Sequence, residues 1–589
     1  MASKASLESL ANELLLDLFE FLSTVHVFHA FFGLNTRFDT LLLDRFSAYR
    51  LDFRSISKTD FNAICRNHLP SIIDRIISLR LSDNNYTPHQ THLFFAHGFL
   101  LRQFSSLRSI SLCHLRSEKI LNSIVVELCH LPYLIHLNFN ACFISSDQDN
   151  AGRIVNHIWN LPKLTHCHLG INYAYEGYVP APSVTSISLE YLTVEHADCN
   201  LNEFDRLLQY TPRLRYLSIK LDDRTNDSEL ISSNIAITKI NLSLKSSINL
   251  LRNLFQHLFN LCHLKIETWD MSISGSQWEQ IITTYLPKLK IFQLKMRNDV
   301  RNNEPLENQI NELLDSFRTR FWLVEHKWFV RCYGQSQNGI NYIFLYTLPY
   351  AFKHFYAHSP YISLRSTAPS DNDYWSYDRV NYLSYEPHLF ADLAMSQIRF
   401  SNIHKLSISL PFDDRFLAII SKLDHLLSMY VKVEDDNDSV IPQLQLLLDQ
   451  APRLHSLVFG PWMTSSSQVP PIENTSTSIY ELNLQGYADR DNLRCFDDHQ
   501  CTTLSRSPLG VQCKMLHIKV LNRTNILYLV NTMPNLQALN VHCEDDNWNE
   551  EEDLSTEDEL VEWLRQHLPS TCTITRDTYY VHDILLWIR

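Results

Sequence analysis

The chain has 589 residues, 45% of them hydrophobic, with 51 Lys+Arg against 65 Asp+Glu, a formal charge of −14, and only 11 glycines. Average usage near 7% would supply about forty glycines, so Gly-rich phosphate loops and collagen-like repeats lack their raw material. A negative balance with no long basic run argues against nucleic acid or an anionic membrane surface as the partner.

The N-terminal leucines are interrupted by Glu8, Asn12, Glu13 and Asp17. No secretory apolar core forms, and no stretch reaches the roughly 18 uncharged apolar residues of a membrane span. The expectation is a soluble protein of the cytoplasm or nucleus. Its 13 cysteines are odd in number, include no Cys-x-x-Cys pair, and sit mostly in apolar runs (Cys113, Cys142, Cys262), so they read as free thiols. Residues 1–45 form a compact segment. Helical spacing is clear in Leu14/Leu15, Leu18/Phe19 and Leu22; Ser23 caps a second short helix, Gly33 ends it, and Asn35 begins a third. Three helices this short cannot bury all that apolar surface alone, so part of it must meet another protein or the residues that follow.

From there on a six-residue frame recurs, with apolar residues at positions one, four and six. It stands at Ile76/Leu79/Leu81, Leu107/Ile110/Leu112, Leu134/Leu137/Phe139, Leu164/Cys167/Leu169, Val184/Ile187/Leu189, Leu214/Leu217/Ile219, Ile237/Ile240/Leu242, Leu261/Leu264/Ile266 and Leu289/Phe292/Leu294. It resumes at Val380/Leu383/Tyr385, Ile403/Leu406/Ile408, Leu426/Met429/Val431, Leu454/Leu457/Phe459, Ile479/Leu482/Leu484, Cys513/Leu516/Ile518 and Leu536/Leu539/Val541. The mean step in both series is ~27 residues, inside the 20 to 29 range of leucine-rich repeats. Positions four and six point to one face of a strand, and position one enters from the preceding turn. Between frames the apolar residues take helical spacing, as in Ile120, Ile124 and Leu128 behind the cap Ser117. Each helix is stopped by a proline before the next strand, at Pro132, Pro162, Pro212, Pro287, Pro452 and Pro534. Helix, proline stop and short strand in succession predict an α/β fold, a right-handed leucine-rich-repeat solenoid whose stability comes from neighbouring units.

The predicted organisation is thus a three-helix segment at 1–45, a first array at 46–296, an irregular β-rich section at 297–379, a second array at 380–543, and an acidic loop with a C-terminal cap at 544–589. In the irregular section, Phe321–Cys332 and Ile343–Tyr350 read as strands joined by a turn around Gly334–Gly339, and the aromatic but charged Ser370–Asp378 reads as a surface loop. This section is either an irregular run of repeats or a protruding hairpin that helps bind a partner. From Glu544 to Glu562 there are eleven Asp/Glu and no Lys or Arg, and Thr556 with Glu559 forms a capping box for a terminal helix.

The N-terminal segment resembles an F-box: a leading Leu7-x-x-Leu10, Asn12-Glu13-Leu14-Leu15, then Asp17-Leu18-Phe19-Glu20-Phe21-Leu22-Ser23, and Arg37-Phe38 near the end. Ala11 stands where the family has proline, and His26 where it commonly has an acidic residue. F-box followed by leucine-rich repeats is similar to the F-box leucine-rich-repeat proteins, substrate receptors of SKP-cullin-F-box ubiquitin ligases. The resemblance implies that Leu7, Leu10, Leu14, Leu15, Leu18, Phe19 and Leu22 bind an SKP-type adaptor and through it a cullin, while the repeats hold a protein substrate.

No Gly-x-Ser-x-Gly, phosphate loop or His-Glu-x-x-His occurs, so neither an enzyme nor a cofactor is expected. His166 and His168 flank the inward Cys167 and share a strand face, but two imidazoles without further ligands make a weak metal site. The residues beside the frame should line the concave sheet, among them Asn138, His168, Ser218, Lys265, Asn483 and Asn540. Their mixed polarity suits a protein partner better than DNA. The leading expectation is a ligase substrate receptor, and the alternative is a repeat scaffold without ligase association.

Overall fold

The structure, a computed structural model, describes residues 7–46, 48–144, 148–173, 180–222, 236–245, 247–300, 305–337, 340–356, 361–369, 374–385, 397–413, 415–420, 422–433, 440–460, 470–485, 495–546, 548, 558–578 and 580–589. Positions four and six of the frame build the core almost everywhere they were read, because alternate residues of a strand share one face and here that face meets the helices. The result is two long sheets. The first has 13 strands, parallel from Tyr49–Asp52 to Ile291–Val300, one per repeat. The second has 10 strands, parallel from His354–Tyr356 to Ala538–Cys543. This is a mixed α/β solenoid of leucine-rich-repeat type.

Side-chain caps set where the helices begin. Ser117 accepts from the Ile120 amide, and Asn200 with Glu203 closes a capping box. The terminal helix Glu559–His567 is capped by Asp558, which accepts from the Val561 amide; Thr556 of the predicted capping box lies outside the described residues.

One repeat is displaced from its predicted frame. The strand is Tyr191–Cys199, with Leu189, Leu192 and Val194 at positions one, four and six, whereas Ile187 is 65% exposed. Both triplets satisfy the apolar pattern, and hydrogen bonding to the Thr165 carbonyl from Glu190 and Tyr191 selects the second. The first strand precedes the first leucine frame at Ile76, and its register places Tyr49, Leu51 and Phe53 beside Ile76, Leu79 and Leu81.

The irregular section is not a protrusion. Phe321–Glu325 forms a helical turn rather than strand, and Val330–Gln337 pairs antiparallel with Ile340–Thr347, which in turn pairs with Ile291–Val300. Gly334 lies inside a strand, not in a turn. A Cβ there would lie 2.7 Å from Leu306 Cδ2, so glycine lets the helix Leu306–Asp315 approach. Within the predicted surface loop, Tyr377 is fully buried: its hydroxyl meets that of Tyr346 at 2.7 Å and accepts from Arg331 at 2.8 Å. Enough polar partners converge there to let an aromatic side chain in a charged sequence become core.

The chain closes on itself. The antiparallel strands Asp583–Trp587 and Thr573–Arg576 finish the second sheet and also reach the first repeats. Trp587 packs 5.4 Å from Phe61, Arg116 pairs with the buried Asp577, and the Tyr86 hydroxyl donates to Glu481 at 2.6 Å. Met515, Ala538 and Trp587 accordingly belong to the core of the first sheet. Among the described residues of the acidic stretch, Glu544 meets Lys519 at 2.7 Å, Glu559 meets Arg523 at 2.6 Å, and Asp546 and Asp558 are bridged by Arg576.

Candidate functional site

The N-terminal segment forms helices Asn12–Phe21, Thr24–Phe31 and Thr36–Thr40. Ser23 and Asn35 cap the second and third through the amides of His26 and Phe38, and Gly33 takes the positive φ of 77° between them. Arg37 ties the third helix to the start of the first, donating from Nε to Asn12 at 2.8 Å and from its terminal nitrogens to the carbonyls of Glu8 and Leu10. The helices then pack on the repeats, with Phe19 against Phe31 at 5.0 Å and Phe46 at 6.0 Å.

This packing divides the seven predicted adaptor residues. Leu15 and Phe19 are buried in the core and face no partner, a correction to the expectation. Leu10 and Leu18 are half-buried, and Leu7, Leu14 and Leu22 are exposed. Phe21, Phe32 and Leu34 join the exposed set, Phe21 at 90%. Helical periodicity could not choose among them because the first helix is apolar on more than one side, and the choice depends on which side Phe46 and Phe31 occupy.

On the open face of the first sheet, two ladders run across neighbouring strands. Position three carries Ser109, His136, His166, Tyr191, Tyr216, Lys239 and His263 in register. Adjacent parallel strands lie about 4.8 Å apart, close enough for such rings to stack. His136 and His166 stand 4.4 Å apart, His166 and Tyr191 are stacked 4.3 Å apart with nearly parallel rings, and Lys239 lies 5.5 Å over the Tyr216 ring. Position five carries Ser111, Asn138, His168, Thr193, Ser218, Asn241 and Lys265.

The first strands of these ladders wall a cavity of 590 Å³ that includes Asn138 and His168, with Arg54 and Arg80 at one end and Tyr191 and Tyr216 at the other. Asp52 grips Arg54 at 2.6 Å and Arg80 at 3.3 Å. Burial alone would raise the Asp52 carboxyl, but the hydrogen bonds and charge of the two guanidinium groups outweigh it and hold the group below the usual carboxylate range. His168 approaches Glu195 at 3.3 Å, which depresses the Glu195 carboxyl, and burial lowers His166 with help from His136. Asn138 Oδ1 is buried with no hydrogen-bond partner, leaving an acceptor for an incoming donor. The set offers flat rings, hydrogen-bonding groups and few net charges. Among the described residues, no three His, Cys, Asp or Glu side chains converge as metal ligands.

The other predicted concave residues fare differently. Ser218 accepts a hydrogen bond from Asn241 at 3.0 Å on the same ladder. Lys265 is engaged within the chain, donating to the Ala351 carbonyl at 3.0 Å and lying 4.6 Å over Phe352; burial lowers its pKa despite Glu267. Asn540 is 4% exposed and cannot meet a substrate, because the closure of the chain covers that end of the second sheet. Asn483 lies in the same row, in register with His517, and its Oδ1 accepts from the Gln485 amide. Arg54, Arg80, Tyr191 and Thr193 were missed. The correct frame at Leu189 would have revealed Tyr191 and Thr193, whereas the strand beside Arg54 has aromatic residues where the others have leucine.

No family model matches the chain, and no curated protein matches it. Among solved structures it is similar to one described as the TLR13–ssRNA13 complex, with 14% identity over 76% of this chain and a TM-score of 0.23. The chain spans 63% of the length of that structure. The class of protein is therefore defined by the repeats themselves: a leucine-rich-repeat-like solenoid. No helix of the described residues is long and apolar enough to cross a membrane.

Proposed function

We propose that the protein is a substrate-recognition subunit of a cullin-RING ubiquitin ligase of the SCF type. The N-terminal helices dock on an SKP-type adaptor, and the open face of the first sheet holds a protein destined for ubiquitin-dependent degradation. The observation that carries this reading is the two-sided first helix: Leu15 and Phe19 anchor it in the core while Leu14, Phe21 and Leu22 face solvent. With Leu7, Phe32 and Leu34 also exposed, this concentration of large apolar side chains is what an interface core requires. Buried by a partner, each is worth about 1.5–3 kcal/mol before association costs. The receptor itself performs no chemistry in this reading and works in the cytoplasm or nucleus.

The test is co-purification of the full chain with an SKP-type adaptor, compared with Leu14→Asp and Phe21→Asp. Capture by the parent and loss in both variants, with unchanged melting, supports the receptor. Failure of the parent to retain the adaptor, or equal retention by the variants, transfers the reading to a repeat scaffold without ligase association.

A further inference from the structure

Where the first sheet changes from parallel to antiparallel, a second cavity of 260 Å³ opens on the same face as the histidine and tyrosine ladders. Its wall residues Lys295 and Arg297 alternate along their strand with the buried Leu294 and Met296, which puts them on the open side. Eight of the eleven wall residues are aromatic. Tyr346, Tyr350 and Phe355 form a buried floor, and Trp269, Tyr342 and Tyr356 a rim that reaches solvent, Tyr356 at 40% exposure. The floor hydroxyls are satisfied within the chain: that of Tyr346 meets Tyr377 at 2.7 Å, and Tyr350 donates to the His354 carbonyl at 2.7 Å. The two wall cations are engaged as well, Lys295 with Glu267 at 3.4 Å and Arg297 with Asp270 and Asp299 at 3.6 Å each. The cavity itself therefore suits a ring and asks for no charge.

Charge gathers outside the wall, where the second sheet starts. The Lys353 carbonyl accepts from the amides of Asn381 and Tyr382 at 2.9 and 3.1 Å, and the Asn381 carbonyl accepts from the Lys405 amide at 2.8 Å, so Lys353, Arg379 and Lys405 enter neighbouring strands side by side. All three side chains are exposed, and among the described residues none has a carboxylate at ion-pair distance. Asp378, next to Arg379 in the chain, is taken by the hydroxyls of Ser376, at 2.6 Å, and Ser401. Tyr382 joins this patch to the cavity, its ring 5.5 Å from that of Tyr356 on the rim. The basic groups also feel one another: burial, and then the charges of Lys353, Lys295 and Arg379, lower the Lys265 ammonium against the pull of Glu267.

The volume lies just below the usual range of about 300–1,000 Å³ for drug-sized ligands, room for one ring system. The three cations spread across neighbouring strands, about 10 Å in all, so an occupant that reaches both is longer than a ring compound. We propose that the cavity takes one Trp or Phe side chain of a partner protein, and that Lys353, Arg379 and Lys405 meet Asp or Glu residues flanking it in that partner. Such a buried aromatic anchor with charges at its margin is the usual division of labour in a protein interface. A nucleic acid also combines rings with negative charge, but a phosphate track along this face would meet Glu195 and Glu267. The proposal rests on the reading of the first sheet's open face as a substrate surface and names the kind of segment held there; the N-terminal helices take no part in it.

The experiment is fluorescence anisotropy of the full chain, without adaptor, so that peptide binding and adaptor capture fail separately. The probes are a labelled, end-blocked peptide Gly-Asp-Glu-Trp-Glu-Asp-Gly, the same peptide with Ala for Trp, the same with Asn and Gln for its acids, and a single-stranded hexauridylate. Saturable binding of the first is expected, weaker by about tenfold or more without the Trp or without the acids, and weaker when salt rises from about 0.05 to 0.5 M. Lys353→Glu combined with Arg379→Glu should weaken the acidic peptide about tenfold or more with melting unchanged, since both side chains are exposed. Tyr356→Ala, at the rim, should weaken it through the ring contact instead. No saturation up to about 1 mM, equal binding of the Ala or the uncharged peptide, tighter binding of the oligonucleotide, competition by free indole as strong as by unlabelled peptide, or no effect of either variant overturns the proposal.

Discussion

Lys58 and Arg589 join distant parts of the chain: the Lys58 amide donates to the Arg589 carbonyl at 2.8 Å. The Lys58 ammonium adds hydrogen bonds to Thr573 Oγ1 at 2.5 Å, to the Trp587 carbonyl at 3.2 Å, and to the Thr571 carbonyl. A solenoid whose terminal strand is pinned to its first repeats loses the open edge that isolated arrays must cap. Lys58→Met keeps the apolar stem but leaves these acceptors unfilled, so unfolding stability in urea should fall by about 1–3 kcal/mol. Equal stability of the variant would mean the closure contributes nothing.

The same lysine makes a pH prediction. Burial lowers its pKa from 10.5 to about 8, so between those values the unfolded chain binds more protons than the folded one. Its contribution to stability therefore rises with pH across that window, as the cost of burying the charge is relieved. Urea midpoints of the parent minus those of Lys58→Met, followed from pH 7.5 to 10.5, should show this rise, and a flat or falling difference contradicts it.

Phe19 and Phe21 separate core from surface within one helix. Phe19→Ala should cost about 3–5 kcal/mol, as removal of a buried ring does, and Phe21→Ala no more than about 0.5. Chemical denaturation of the two variants decides it, and comparable losses would remove the two-sided helix on which adaptor docking depends.

Ile187 and Leu189 test the repeat register. Leu189→Asp buries an unpaired carboxylate and should lower stability by more than about 4 kcal/mol, whereas Ile187→Asp stays within about 0.5. The opposite order of melting temperatures would restore the frame read at Val184.

Arg37 holds the start of the first helix through three donors. Arg37→Ala should accelerate amide exchange across residues 12–40 while leaving protection in the strands of the second sheet unchanged. Uniform loss of protection throughout the chain would mean instead that the N-terminal helices are part of one cooperative unit with the repeats.

Much of the fold was legible from residue order. The frame at Leu107, Leu134 or Leu214 is short-range information, since a strand's alternation and a proline stop need no distant partner. Legibility failed where the same letters served two geometries. Ile187 and Leu189 offer equivalent patterns, and Gly334 resembles a turn residue until the helix at Leu306 is seen against it. Of the candidate site, Asn138 and His168 were found by counting from the frame. Tyr191 was lost with the displaced repeat, and Arg54 with a first strand whose apolar positions are Tyr49, Leu51 and Phe53.

By itself the sequence determined the repeat, its period of ~27 residues, the strand and helix alternation, and the caps at Ser23, Asn35 and Ser117, all set by interactions a few residues long. Only the tertiary structure decided which exposed faces survive. Asn138 and Asn540 occupy the same place in their repeats, yet one lines a cavity and the other is buried, because the end of the chain returns to its first repeats and covers one sheet and not the other. That closure rests on Lys58, Tyr86 and Arg116 meeting residues hundreds of positions away, contacts that no local periodicity encodes.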